Sequence, residues 1–207
     1  MKRILCYGDS NTYGYDPRGL LALRYPTADI WTSVAEQLLE GEFEITNQGF
    51  NGRELPTERD HRLILEMMSD LRRYDLFVTM LGTNDILLVR DPDAETAIRK
   101  MEDYLFFLEE VLDRRAEDWR FTPLLIAPPY IKEGFMGGES YHQECIRMNE
   151  GFRRLAEEHG AWFFDAADWK IDLAFDHVHF SPKGHRAFAK RFASELALYL
   201  NRIRRLL

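Results

Sequence analysis

The chain has 207 residues, 45% of them hydrophobic and 30% charged, and a formal net charge of -8. That composition suits one folded domain with apolar side chains enough for a sizeable core. The acidic balance disfavours a nucleic-acid or anionic-membrane partner, since phosphate binding rests on clustered Lys and Arg. The basic group Arg202, Arg204 and Arg205 reads instead as cations favoured at a helix C-terminus.

Met1-Lys2-Arg3 precedes only Ile4, Leu5, Cys6 and Tyr7 before the polar Gly8-Asp9-Ser10. That run is too short for a signal-peptide core, and no stretch has membrane-spanning length, so a cytoplasmic protein is expected. Short apolar runs then alternate with segments of helical period. Strands are predicted at Arg3–Tyr7, Phe43–Asn47, Leu76–Leu81, Pro123–Ala127 and Ala161–Phe164. Most are continuously apolar, as strands covered on both faces should be. Helices are predicted at Trp31–Leu39, Arg59–Leu71, Ala94–Arg115, Tyr141–Glu158 and Lys183–Leu206. Asp93 caps the third of these, and Ile98, Met101, Leu105 and Leu108 form its apolar stripe. Ser181 caps the last, with Pro182 at the first helical position and Phe188, Phe192, Leu196, Tyr199 and Ile203 on one face. Strand–helix alternation repeated in this way implies a single α/β domain, residues 1–207, with a five-stranded parallel sheet between helical layers. Cys6 lies in an apolar run and reads as a buried small hydrophobe, and two thiols, Cys6 and Cys145, make no disulfide framework.

In open parallel sheets the ligand crevice lies at the carboxyl ends of the strands. Loops at Asp16–Asp29, Gly52–Thr57 and Pro128–Ser140 are rich in Gly, Pro and Tyr, and the long ones at Asp16–Asp29 and Pro128–Ser140 could serve as lids or as an interface between copies of the chain. Three polar segments follow strands directly. Gly8-Asp9-Ser10-Asn11 presents a hydroxyl at a turn with free backbone N–H groups. A serine is a poor nucleophile without an adjacent base, and Ser10 read alone serves equally as a helix cap. Asn47-Gln48-Gly49-Phe50-Asn51-Gly52-Arg53 has glycines that permit close backbone approach. Leu81-Gly82-Thr83-Asn84-Asp85 offers an Asn amide that could stabilise an oxyanion, and reads equally as a turn. A fourth segment, Asp176-His177-Val178-His179-Phe180-Ser181, precedes the last helix. Either histidine could take a serine proton, with Asp176 holding the imidazole by its other nitrogen. A metal cluster of Asp176, His177, His179 and His185 is a weaker alternative, because no recognised ligand spacing completes it.

Taken in order, these blocks resemble the SGNH hydrolases, the GDSL-type esterases and lipases, from residue 8 to residue 185. Gly8-Asp9-Ser10 is similar to the nucleophile block. Gly52 falls where the second-block glycine is expected, Gly82-Thr83-Asn84-Asp85 matches Gly-x-Asn-Asp, and Asp176-x-x-His179 matches the last block. The resemblance implies a flavodoxin-like three-layer sandwich and a cofactor-free, metal-free acyl-enzyme mechanism. It makes Ser10 the nucleophile, His179 rather than His177 the base, and Asp176 its orienting partner. The oxyanion would be held by the N–H groups of Ser10 and Gly52 and the amide of Asn84, while Asp9 and Asp85 bond neighbouring loops. The chain departs from Gly-Asp-Ser-Leu by carrying Asn11. Its blocks look most like the bacterial arylesterase and acyltransferase branch, with Tyr15 and Val178 lining the substrate pocket. The expected partner is a small-molecule ester, with a homo-oligomer as an option. A carbohydrate acetylesterase, a thioesterase or a lysophospholipase would use the same triad. A non-catalytic flavodoxin-like binding domain would share the fold but has no need of Asp176 and His179.

Overall fold

The computed structural model describes residues 1–19, 23–69, 74–113, 123–132 and 139–204, with the backbone alone at 67–69, 112–113 and 202–204. Five strands, β1 (Lys2–Gly8), β2 (Phe43–Gly49), β3 (Leu76–Met80), β4 (Pro123–Ala127) and β5 (Trp162–Asp165), pair in parallel in the order β2-β1-β3-β4-β5. The helices are α1 (Ser10–Tyr13), α2 (Trp31–Leu38), α3 (Glu58–Ser69), α4 (Thr83–Leu87), α5 (Ala94–Asp113), α6 (Glu139–Glu158) and α7 (Pro182–Arg204). This is the three-layer arrangement expected from the alternation of apolar runs.

Side chains alternate across each strand, so each strand feeds two cores. From β1, Ile4 and Cys6 pack with Trp31 and Ala35 of α2 and with Phe188, Phe192 and Leu196 of α7. Leu5 and Tyr7 face the other way, onto Ile64 of α3, Met101, Tyr104 and Leu108 of α5, and Met148 and Phe152 of α6. Trp31, Phe152, Phe188 and Phe192 are at most 1% exposed, and each contributes roughly 1.5–3 kcal/mol by leaving water. Cys6 and Cys145 are free and buried, and burial pushes both thiols up, Cys145 to about 11.

Local signals set the helix starts. Asp93 accepts hydrogen bonds from the Glu95 N–H and the Thr96 hydroxyl, and Ser181 Oγ accepts one from the Gly184 N–H. Pro182 is the first residue of α7, one earlier than the expected Lys183. The boundaries depart from expectation elsewhere too. Strand β2 runs on through Gln48 and Gly49, and β5 spans Trp162–Asp165 rather than Ala161–Phe164. Strand β3 stops at Met80 instead of Leu81, because Gly82 turns the chain with φ 114 into a short helix. Helix α6 begins at Glu139 rather than Tyr141, and α2 ends at Leu38 rather than Leu39. The predicted helix ends at Leu71, Arg115 and Leu206 lie outside the described residues, as do the Ile203 side chain, the Arg202–Arg205 cluster, and parts of the loops Asp16–Asp29 and Pro128–Ser140. Among the described residues no helix is long and apolar enough to cross a membrane.

The strand order reverses direction at β1: the chain passes from β1 outward to β2, then returns across β1 to β3. The helices after β1 and β3 leave on opposite faces, which opens a crevice at their carboxyl ends. Ser10 follows β1 and Asn84 follows β3, so both border that crevice.

Candidate active site

Ser10 is the first residue of α1, directly beyond β1. Asp9 caps this single turn by accepting from the Asn11 N–H at 2.8 Å, and the N–H of Gly14 and of Tyr15 both donate to the Ser10 carbonyl. Both ends of the turn are therefore tied, and Ser10 itself is 8% exposed. Asp9 is 1% exposed. Burial pushes its carboxyl up to about 6 against the opposing hydrogen bond from the Asn11 N–H. Asp9 was expected to bond a neighbouring loop, and the hydrogen bond it accepts from the Asn11 N–H lies within its own turn.

The histidine segment lies between β5 and α7. Asp176 Oδ1 accepts from the N–H groups of Val178 and His179, at 3.1 and 3.0 Å, which folds the segment into a tight turn. His177, at the apex, takes a left-handed backbone with φ 62, a conformation His adopts more readily than most residues. The turn brings Asp176 and His179 to one side. Asp176 Oδ2 lies 2.6 Å from His179 Nδ1, and Ser10 Oγ lies 2.9 Å from His179 Nε2.

Proton placement follows from the acceptor chemistry. Burial alone would push the Asp176 carboxyl up. The His179 ring and the two backbone N–H groups together outweigh it and hold the group below the usual carboxylate range. An ionised carboxylate only accepts, so His179 Nδ1 carries a proton, and in the neutral ring Nε2 is then the acceptor for the Ser10 hydroxyl. This is the arrangement in which a serine hydroxyl can lose its proton to imidazole as it attacks a carbonyl.

The other histidines play no part in this chain of bonds. His177 Nδ1 is buried and has no hydrogen-bond partner among the described residues. His185 is 0% exposed. Its Nδ1 accepts from the Trp31 N–H at 3.3 Å, and Tyr25 and Phe180 pack edge-on against the ring. Burial, then the charge of Arg186, pushes His185 down to about 3, so it is neutral. No group of three or more His, Cys, Asp or Glu side chains that could hold a metal forms among the described residues. Asp176, His177, His179 and His185 are accordingly not gathered into such a group.

On the opposite side of Ser10 two loops are stitched together. The loop after β2 is tied to the end of β1 by the Phe50 N–H, which donates to the Gly8 carbonyl at 3.1 Å. Gly52 turns it with φ 73, where any side chain would be strained. The Arg53 guanidinium lies 4.1 Å over the Tyr7 ring and donates to the carbonyls of Gly8 and Gln48. Asn84, 5% exposed, is held on α4, and its amide donates one hydrogen to the Arg53 carbonyl at 2.9 Å. That amide has no second acceptor among the described residues. Asp85 accepts from the Leu55 N–H at 2.9 Å and pairs with Lys100 Nζ at 2.7 Å, so it anchors the Gly52 loop to α5. Gly82 permits the approach of α6, since a Cβ there would sit 2.8 Å from Met148 Sδ.

The two pocket residues expected from the sequence are placed differently. The Tyr15 ring packs on the His179 ring, with centroids 4.6 Å apart. Val178 is 6% exposed and belongs to the core shared with α3, α5 and α6. Its side chain is mostly a packing residue. Sequence reasoning missed the work of Asn11, Arg53 and Lys100. Asn11 carried a usable signal, because a polar side chain beside a strand end that is buried must have partners.

Comparison with known proteins gives the family and the fold. The model of the GDSL-like Lipase/Acylhydrolase family matches residues 6–187. The chain belongs to that family, and it is a hydrolase of ester bonds. A proposed arylesterase from Agrobacterium tumefaciens str. C58 is similar at 28% identity and a TM-score of 0.81, over 95% of this chain and 99% of that one. A carbohydrate acetylesterase family member from Sinorhizobium meliloti is similar at 26% identity and a TM-score of 0.79, over 97% of this chain and 100% of that one. The aryl esterase of M. smegmatis, at 23% identity and a TM-score of 0.80 over 95% and 99%, shares the fold. No curated protein matches the chain.

Proposed function

We propose that residues 1–207 form one catalytic domain that hydrolyses small carboxylic esters, of short acyl or aryl type, through an acyl-enzyme on Ser10. The observation that carries this reading is the unbroken relay from Ser10 Oγ to His179 Nε2, 2.9 Å, and from His179 Nδ1 to Asp176 Oδ2, 2.6 Å. Ser10 attacks the ester carbonyl while His179 takes its proton. The imidazolium, stabilised by Asp176, then returns that proton to the departing alkoxide. Water repeats the sequence on the acyl-enzyme, and an alcohol in its place gives acyl transfer. The N–H groups of Ser10 and Gly52 and the free amide hydrogen of Asn84 hold the developing oxyanion. Asp85, through Leu55 and Lys100, keeps the Gly52 loop in place.

An aromatic or short acyl substrate is favoured by Tyr15 against the His179 ring and by the exposed Phe50 and Phe175 on loops of the same edge. The likeness to a carbohydrate acetylesterase family member supports a second reading, an acetylated sugar. One substrate panel decides between them. Purified protein is given p-nitrophenyl acetate, butyrate and octanoate and an acetylated xylose, with no metal added. Fast turnover of the aryl acetate over the octanoate is expected, and sugar deacetylation faster than the aryl acetate would favour the second reading. Ser10→Ala and His179→Ala should each lose about 10³-fold or more in kcat. Wild-type turnover by either variant would refute the mechanism.

A further inference from the structure

The residue after the nucleophile departs from the family's Gly-Asp-Ser-Leu pattern, and the structure shows what the departure does. Asn11 is 4% exposed. Its side chain crosses from the Ser10 turn to the histidine segment, 167 residues away in sequence. There Nδ2 donates to the Val178 carbonyl at 3.2 Å, and Oδ1 accepts from the Phe180 N–H at 2.8 Å. These are the backbone groups on either side of His179. Other backbone groups beside His179 are used elsewhere: the Val178 and His179 N–H groups go to Asp176 Oδ1, and the His179 carbonyl accepts from the Ala174 N–H.

We propose that Asn11 is a positioning residue for catalysis: its carboxamide sets the distance between Ser10 Oγ and His179 Nε2. This rests on the triad reading given above. The path from nucleophile to base is one peptide unit, one short side chain and a pair of hydrogen bonds. Asp9 pins the near end of that path through the Asn11 N–H. Nothing else in it can stretch, because a carboxamide with both its groups engaged has no rotamer freedom left. Asp176 orients the imidazole within its own turn. It cannot locate that turn relative to Ser10, which belongs to a different segment, and Asn11 supplies that registration. A leucine at this place could fill the volume but could not bond either group. The Val178 carbonyl and the Phe180 N–H would then be buried without partners, and the segment would shift to recover them.

A misplacement of about 1 Å at reacting groups costs on the order of 10²-fold in rate. In Asn11→Leu, kcat for p-nitrophenyl acetate is therefore expected to fall about tenfold to a hundredfold, with KM within about twofold of wild type. The ester-binding groups on the Gly52 and Asn84 loops are untouched, which is why the loss should fall on kcat. A second variant, Asn11→Asp, retains an acceptor for Phe180. Its other oxygen faces the Val178 carbonyl, repelling it when ionised and donating to it when protonated. Its activity relative to wild type should rise as pH falls from 8 to 5.5. A residue that only stabilises the fold would lower the melting temperature and leave kcat of the folded protein intact. A folded Asn11→Leu with kcat within about twofold of wild type would overturn the proposal. If Asn11→Leu does not fold, a pH-independent ratio of Asn11→Asp to wild type overturns it instead. Ser10→Ala is measured alongside. Activity in that variant sinks the triad reading itself, whereas an inactive Ser10→Ala beside a fully active Asn11→Leu sinks only the role of Asn11.

Discussion

The two sides of Ser10 are built on different plans. On one side, the proposed base and its orienting carboxylate come from a single turn, Asp176–His179, closed on itself by two backbone bonds to Asp176. That turn hangs from α7 and the core of Trp31, Phe180 and Phe188. On the other side, the groups suited to hold an oxyanion come from two loops, after β2 and after β3. Those loops are joined by side chains reaching far along the chain: Asn84 to Arg53, Asp85 to Leu55, Lys100 to Asp85. The acid–base apparatus is local and hydrogen-bonded within itself, whereas the electrostatic apparatus is assembled at long range. A local turn can keep its internal geometry while drifting as a unit, which is why the join through Asn11 matters. A stitched pair of loops fails one bond at a time.

This comparison predicts how each side breaks. The largest effect short of the triad itself is expected from Asn84→Ala, which removes the amide and its bond to the Arg53 carbonyl. Loss of one oxyanion donor costs on the order of 10²–10³-fold in kcat, so steady-state kinetics on an aryl acetate should show a loss in that range. A loss under about threefold would remove Asn84 from the oxyanion site.

A smaller effect separates the two sides by pH. His185, in the first turns of α7, takes up a proton in the unfolded chain near pH 6.5 but in the folded protein only at about 3. Its contribution to stability is thus fully present above pH 6.5 and is lost as pH falls through that window. At pH 4.5 the loss is on the order of 2–3 kcal/mol. Urea unfolding at pH 7.5 and 4.5 measures it. The difference should shrink in His185→Gln, which keeps an acceptor for the Trp31 N–H without a group to titrate. Equal drops in variant and wild type would mean that other groups govern acid stability.

The same contrast explains what could be read from the sequence. Three-residue spacing made Asp176 and His179 a plausible pair, because partners that close in sequence need only a turn to meet. His177 had a rival claim from the sequence alone, and what separates the two is the turn itself, with its left-handed backbone at His177. The strands were legible from their apolar runs. Helix α4 was not, because five residues containing Asn and Asp after a glycine look like a turn until the fold brings Met148 and Phe152 of α6 close over Gly82. Gly52 was identifiable only through the order of the family's blocks, since a glycine in open space has no local signature of an oxyanion role. Asn11, Arg53 and Lys100 acquire their meaning from residues that the fold alone brings near. Val178, expected at the pocket, is 6% exposed and packs in the core shared with α3, α5 and α6, a placement that depends on the turn at His177.

The central claim is that Ser10 is the nucleophile activated by His179. The most direct measurement is the site and rate of phosphonylation by a fluorophosphonate probe, read by peptide mass spectrometry on wild type, Ser10→Ala and His179→Ala. A single adduct on Ser10 is predicted, formed far more slowly in His179→Ala and absent in Ser10→Ala. An adduct on another residue with full loss of activity, or undiminished labelling without His179, would contradict it.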